Sequence, residues 1–362
     1  MYEGMDTPFV AVNFNQVEEN IRVMEENARA FGIRVRPHIK PHKSVELAKL
    51  QLNLGASGIT CAKLGEAEVM AEAGISDILI AFPLIGQEKM ERLKKLLSKA
   101  EITTIVNSRE GAEGLSKAGM EAGKKIRVLL EVDGGIHRGG KDPFEPTLLF
   151  AREIRDLPGI DIRGILYYGG TIYSQSTREG YERISKEGRD KMLGTAELLK
   201  KDGFHMDILS GGSSFSSKCP KCLNGITEIR PGHYIFNDVG QLFTGMASEK
   251  ECALRVVSTV VSLVDAHHAI IDAGSKTLTS DLNGHHEGYG YVVGRPDIRI
   301  EKLNEEHGFL CSEKNMDLSI GEKLEIIPNH ACVVPNLTEE LYGFRDGVFH
   351  HKISVDARGK NR

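Results

Sequence analysis

Short apolar runs alternate with amphipathic stretches from about residue 8 to about residue 240. The runs at 9–15, 34–40, 58–62, 77–82, 102–107, 126–132, 162–168 and 206–209 read as buried strands. Between them, residues 17–30, 66–73, 88–97, 146–155 and 181–199 carry the three-to-four spacing of helices. Eight strand–helix repeats at this interval predict an α/β fold, a (β/α)8 TIM barrel in preference to an open doubly wound sheet. In a barrel every strand carboxyl end opens on one mouth, which would collect Lys40, Lys63, Asp133, Tyr168 and Ser213. From about residue 250 the pattern changes. Residues 254–264, 269–272, 290–293, 323–327 and 348–355 read as strands joined by turns, with little helix. The expected division is a barrel over 8–245 and a β-rich domain over 246–362, joined by residues 1–7.

The composition narrows the classes of function. A chain of 362 residues, 40% hydrophobic, can bury one large core and a smaller second one. A net charge of −5, from 46 basic and 51 acidic side chains, argues against nucleic acid or an anionic membrane as the main partner. The amino terminus lacks the basic-then-apolar pattern of a signal peptide, and no apolar run approaches about 18 residues. Six cysteines in a chain of this length suit a reducing compartment better than a disulfide framework. These features predict a soluble, cytoplasmic protein.

The segment Arg36-Pro37-His38-Ile39-Lys40-Pro41-His42-Lys43 carries the most chemistry. It closes a strand and precedes the helix-like 44–50, so basic and imidazole groups crowd a strand's carboxyl end. A lysine among other cations there is expected to lose its proton more readily, as Schiff-base lysines require. Alone, the segment reads equally well as a solvated basic loop. Residues 209–214, Leu-Ser-Gly-Gly-Ser-Ser, follow the eighth expected strand, where barrels commonly hold phosphates through backbone amides and hydroxyls. His330-Ala331-Cys332 puts imidazole and thiol two residues apart, on one face of a strand. That donor pair suits zinc better than harder ions.

These segments resemble, in order, the motifs of the D-serine dehydratase and D-threonine aldolase family of fold-type III pyridoxal-phosphate enzymes, which are alanine racemase-like. The octapeptide is similar to the family's R-P-H-x-K-T-H-K, with Pro41 where Thr is usual. Glu228-Ile229-Arg230-Pro231-Gly232-His233-Tyr234 resembles E-x-R-P-G-N-Y, with His233 replacing the common Asn. Residues 131–140 look like D-x-G-x-x-R-x-G, residues 272–281 like D-A-G-W-K-x-L-x-x-D with Ser275 in place of Trp, and 328–337 like P-x-H-A-C-x-x-x-N-L. Asp356-Ala357-Arg358-Gly359 is similar to the family's closing A-R-G.

The resemblance implies that pyridoxal 5'-phosphate is held by Lys40 through a Schiff base. Its phosphate would lie on Ser213, Ser214 and the main chain of Gly232 and His233, with Arg138, Tyr168 and Tyr173 around the ring. It also implies a divalent metal on His330 and Cys332, zinc by the thiolate, with manganese or another divalent ion as the alternative. Thr171 stands where relatives carry His, which leaves the second acid/base group unassigned. The expected function is a lyase on a D-β-hydroxy amino acid, a D-serine dehydratase-like ammonia-lyase yielding a 2-keto acid. D-threonine or 3-hydroxy-D-aspartate aldolase is the alternative, and a non-catalytic pyridoxal-phosphate carrier the reading from another class. A racemase fits poorly, because the metal pair has no place in its mechanism. A homodimer is expected. Cys219-Pro220-Lys221-Cys222 is one C-x-x-C with no second pair and is not read as zinc-binding.

Overall fold

The computed structural model describes residues 2–362. Backbone contacts divide the chain into two compact units. One comprises Val23–Lys40, Leu47–Gly232 and Gly359–Arg362; the other comprises the amino-terminal stretch to Arg22, Pro41–Glu46 and His233–Arg358.

The first unit holds an eight-stranded parallel sheet. Its order is Arg34–Val35, Glu228–Ile229, Ile208–Gly211, Ile160–Tyr167, Ile126–Val132, Glu101–Val106, Asp77–Ile80 and Ile59–Cys61. An isolated parallel bridge between His38 and Thr60 joins the two ends of this row, with Ile39 N–H donating to Thr60 O at 2.9 Å. The strands therefore close into the expected barrel. Leu79, Ile105, Leu129 and Leu166, from four adjacent strands, form one packed cluster and are almost fully buried. Helices such as Gln87–Leu97 lay Met90, Leu93, Leu96 and Leu97 inward and turn their charges outward. Ser108 and Thr177 cap the helices Arg109–Glu121 and Arg178–Lys201 by accepting from Gly111 N and Gly180 N, each at 3.1 Å.

One expected strand lies elsewhere. Phe9–Asn13, anticipated as the first barrel strand, pairs instead with Leu254–Leu263 and Glu340–Arg345. The eighth barrel place falls to the two-residue strand Glu228–Ile229. Periodicity could not separate these cases. Phe9–Asn13 is apolar on both faces because it is central to a sheet, and two residues carry no period.

The second unit is built on a nine-stranded sheet in which Phe9–Asn13 lies between Leu254–Leu263 and Glu340–Arg345. Phe9, Ala11, Val257 and Phe344 form its packed cluster. Strands Arg299–Leu303, Gly308–Cys311 and Glu340–Arg345 escape the sequence pattern, since half-exposed positions dilute their apolar signal. No helix among the described residues is long and apolar enough to cross a membrane.

Glu25, in the first unit, supplies a pH test of this packing. It is buried and its Oε1 has no hydrogen-bond partner. Burial pushes its carboxyl up to about 7, opposed by the charge of Arg29. The folded chain therefore retains this proton over a range where the unfolded chain releases it. The associated stability is complete below the ordinary carboxylate range and is lost as pH rises through about 7. We expect denaturant unfolding at pH 5 and pH 8 to differ by about 1–3 kcal/mol from this group. Glu25→Gln removes that difference and stabilises the protein at pH 8.

Candidate active site

Since the barrel strands are parallel, their carboxyl ends share one mouth. Lys40 stands there beyond Arg34–Val35, Lys63 after Ile59–Cys61, Asp133 after Ile126–Val132, Tyr168 after Ile160–Tyr167 and Ser213 after Ile208–Gly211. The structure thus brings together in one unit the residues expected there. Lys40 is exposed, and its N–H donates to His38 Nδ1 at 3.4 Å. Lys43, the other lysine of the octapeptide, is buried and donates from Nζ to Asn336 Oδ1 at 2.9 Å. Its carbonyl accepts from Ala357 N at 2.9 Å, and Val45 N–H donates to Asp356 Oδ2 at 2.7 Å. The closing Asp-Ala-Arg motif therefore tethers the Lys43 segment, whereas Lys40 is exposed.

Arg36 does not face a ligand. It is buried and pairs with Glu228 at 3.1 Å and Asp77 at 2.9 Å. Glu228 also accepts from Ser210 Oγ at 2.6 Å; Ser210 Oγ in turn accepts from Arg230, at 2.6 Å, and Arg230 donates further to Tyr167 O at 3.1 Å. One chain of bonds thus ties five strands at the barrel's seam. Removing one member of such a buried ionic set typically costs about 3–5 kcal/mol. Gly58 is required beside it, since a Cβ there would lie 2.2 Å from the Arg36 guanidinium. Burial lowers the pKa of Arg230 to about 10, and the guanidinium lies within the electrostatic reach of Tyr168, Glu131 and Arg138. Sequence reasoning passed over Arg230 and Glu228, although both lie in a motif it had singled out.

The Ser-Gly-Gly-Ser-Ser segment expected to hold a phosphate forms a tightly bonded loop. Ser213 N–H donates to Ser216 Oγ at 2.7 Å and Ser217 N–H to Ser213 O at 2.8 Å, which curls the chain after the strand. Gly232 N–H donates to Ser214 Oγ at 3.0 Å, so the amide and hydroxyl assigned to a phosphate already share one small region. Ser217 Oγ, fully buried, has no partner, and it lies 3.1 Å from where a Cβ on Gly212 would stand. Gly212 has φ +75°, a conformation that also excludes most side chains. An orphaned hydroxyl facing a space kept open by glycine suits an anion. Ser217 was not anticipated from sequence; the continuing Ser run was its signal. Arg138 lies over the Tyr168 ring at 4.5 Å, and the Tyr168 and Tyr173 rings are 6.4 Å apart. Thr171 sits on the single turn Gly170–Ser174, its methyl 3.4 Å from the place of a Gly135 Cβ.

In the second unit His330 and Cys332 do meet. His330 Nδ1 pairs with Asp281 Oδ2 at 2.8 Å, which leaves the other ring nitrogen for an ion, the carboxylate–histidine arrangement common at metal centres. Burial alone would raise the Cys332 thiol, but hydrogen bonds from His233 and His330 bring it down to about 6. Burial likewise opposes charge on His330, and its bond to Cys332, with Asp281 and Asp238 nearby, lifts it to about 9. A thiol so stabilised as thiolate, beside an imidazole held by a carboxylate, fits a borderline divalent ion such as zinc. Asp238 Oδ2 accepts from Ala331 N at 3.2 Å, and Asn329 Nδ2 donates to Asp281 O at 3.0 Å, so the residues flanking His330 are both pinned.

Cys219 and Cys222, across two short 3-10 turns, are joined as a disulfide with Cα atoms 5.5 Å apart. The sequence reading had expected thiols throughout; the turn at Pro220 brings this pair into bridging range. Cys61, Cys252, Cys311 and Cys332 are free.

Comparison with known proteins agrees with this geometry. Residues 12–239 match the alanine racemase N-terminal domain and residues 253–344 a putative serine dehydratase domain. The chain is 32% identical to a D-threonine aldolase of an Arthrobacter species, over 99% of this chain and 94% of that protein. It is also 32% identical to the D-threo-3-hydroxyaspartate dehydratase of Delftia sp. strain HT23, over 91% of each. The crystal structure of D-threonine aldolase from Filomicrobium marinum superposes with a TM-score of 0.91 at 29% identity, covering 99% of this chain and 97% of that one. With an alanine racemase-like barrel, a β-rich second unit and these matches along nearly its whole length, the chain belongs to the D-serine dehydratase and D-threonine aldolase family of fold-type III pyridoxal-phosphate enzymes.

Proposed function

We propose that the protein is a pyridoxal-phosphate and metal-dependent lyase that removes water and then ammonia from a D-β-hydroxy amino acid of the D-serine type. The observation that carries this reading is the His330–Cys332 pair, whose soft donor set suits zinc and the departure of a β-hydroxyl. When bound, the cofactor would draw off the electron pair left on Cα, and the metal would polarise the β-oxygen. Lys40, through Nζ, would hold the cofactor at rest and take the Cα proton once the substrate amine has replaced it. Ser213, Ser214, Ser217 and the Gly232 and His233 main chain would hold the phosphate; Arg138, Tyr168 and Tyr173 would orient the ring. Asp281 would keep His330 aimed at the ion. Free thiols at four of six cysteines support a cytoplasmic setting, and a homodimer is part of the same reading.

A second reading, retro-aldol cleavage, is favoured by the 32% identity to an aldolase over 99% of the chain. Product analysis separates the two. The metal-loaded protein is incubated with D-serine, D-threonine and D-3-hydroxyaspartate. We expect 2-keto acid and ammonia in equal amounts; glycine with an aldehyde or glyoxylate would establish cleavage instead.

A further inference from the structure

Cys219-Pro220-Lys221-Cys222 lacks a second cysteine pair in the sequence, but the fold brings it a third donor from a distant helix. Helix Arg178–Lys201 begins over the Ser213–Ser217 loop. The Tyr181 ring stacks on Phe215 at 5.0 Å, and the Tyr173 ring meets Phe215 edge-on at 5.3 Å. Tyr181 is buried and its hydroxyl donates to Gln175 O at 2.6 Å, which fixes the first turn of the helix. Glu182 is the next residue. A carboxylate oxygen of Glu182 and the sulfurs of Cys219 and Cys222 all lie within 4.8 Å of one another. The cysteines are held by backbone bonds: Cys219 N–H donates to Ser216 O at 3.0 Å and Cys222 N–H to Cys219 O at 2.8 Å.

The surroundings suit a cation. Cys222 is fully buried and Cys219 nearly so, whereas Glu182 keeps 22% of its side chain exposed and leaves the site an approach from solvent. Arg178 and Lys221 pair with Glu182 at 3.5 and 3.6 Å, both through Oε1 and both beyond hydrogen-bonding distance. Such loose pairs offset negative charge without occupying the carboxylate. With Cα atoms 5.5 Å apart, the reduced sulfurs can turn away from each other about their Cα–Cβ bonds and still face one ion, the spacing C-x-x-C chelates use. We propose that Glu182, Cys219 and Cys222, once the disulfide is reduced, form a metal site distinct from the His330–Cys332 pair. It would take a borderline divalent ion such as zinc on two thiolates and one carboxylate, with water in the fourth place. The ion would tie the helix to the segment that continues the Ser213–Ser217 loop. Closing the Cys219–Cys222 bond takes two electrons from the thiolates. A low-molecular-weight disulfide accepts them and leaves as two thiolates, and the ion departs.

Co2+ titration of the cofactor-loaded Cys332→Ala protein, reduced with a phosphine, tests the site apart from the His330–Cys332 reading, because Cys332 is missing from every protein compared. We expect one Co2+ per chain with sulfur-to-cobalt charge-transfer absorption. Adding Cys219→Ser should remove most of that absorption. Adding Glu182→Gln should weaken binding at least about 10-fold, the scale for losing even an outer partner of a metal ligand. Oxidised glutathione should release the ion and abolish the band. Circular dichroism checks that each variant is folded, and Glu182→Gln, at a partly exposed position, carries the test if Cys219→Ser is not. A reduced protein without the sulfur-to-cobalt band, or Co2+ binding that Glu182→Gln leaves unchanged, overturns the proposal.

Discussion

Lys40→Ala is expected to abolish the visible absorption band of the bound cofactor and to lower turnover by at least about 1,000-fold, the scale set by losing both a covalent anchor and a general base. Lys43→Ala should keep the band. Its amine is already bonded to Asn336 in a buried position, so its loss costs about 1 kcal/mol of stability rather than the chemistry. The two lysines lie three residues apart in one motif, and of the two only Lys40 is exposed. Borohydride reduction followed by peptide mapping locates the cofactor independently of activity. Label on Lys43, or a band that survives Lys40→Ala and disappears in Lys43→Ala, would show that the register is wrong.

Removing the metal is expected to stop β-elimination while leaving the cofactor band in place, since the two groups act on different atoms of the substrate. Cys332→Ala should have the same effect permanently, with metal affinity reduced by about 100-fold or more. Cys332→Asp replaces a soft donor by a hard one and should move metal preference from zinc toward manganese. It should also raise the proportion of aldol cleavage among the products. Metal analysis of dialysed protein, paired with keto-acid and ammonia assays, reads each outcome. Full activity in a metal-free Cys332→Ala protein would defeat the metal-dependent reading.

Thr171 separates what these tests address from what they leave to the substrate. A threonine hydroxyl cannot exchange a proton near neutral pH as an imidazole can. Thr171 lies half-buried on the turn Gly170–Ser174, its methyl 3.4 Å from where a Gly135 Cβ would stand.

Much of the architecture was legible in the chain. Apolar runs that alternate with helical spacing predict a barrel because parallel strands are buried on both faces and their crossovers are amphipathic helices. The motif around Lys40 and the His330-x-Cys332 pair stood out as candidates because covalent and metal chemistry admits few residue types. Tertiary structure alone decided the rest. It assigned Phe9–Asn13 to the β-rich sheet and gave the barrel its eighth place at Glu228–Ile229, since pairing partners are chosen by contacts distant in sequence. It also joined Arg36, one of the basic groups of the Lys40 segment, in an ion pair with Glu228, 192 residues away. Asp281 reached His330 in the same manner: residues 49 positions apart share no local pattern, and only the folded backbone makes them neighbours.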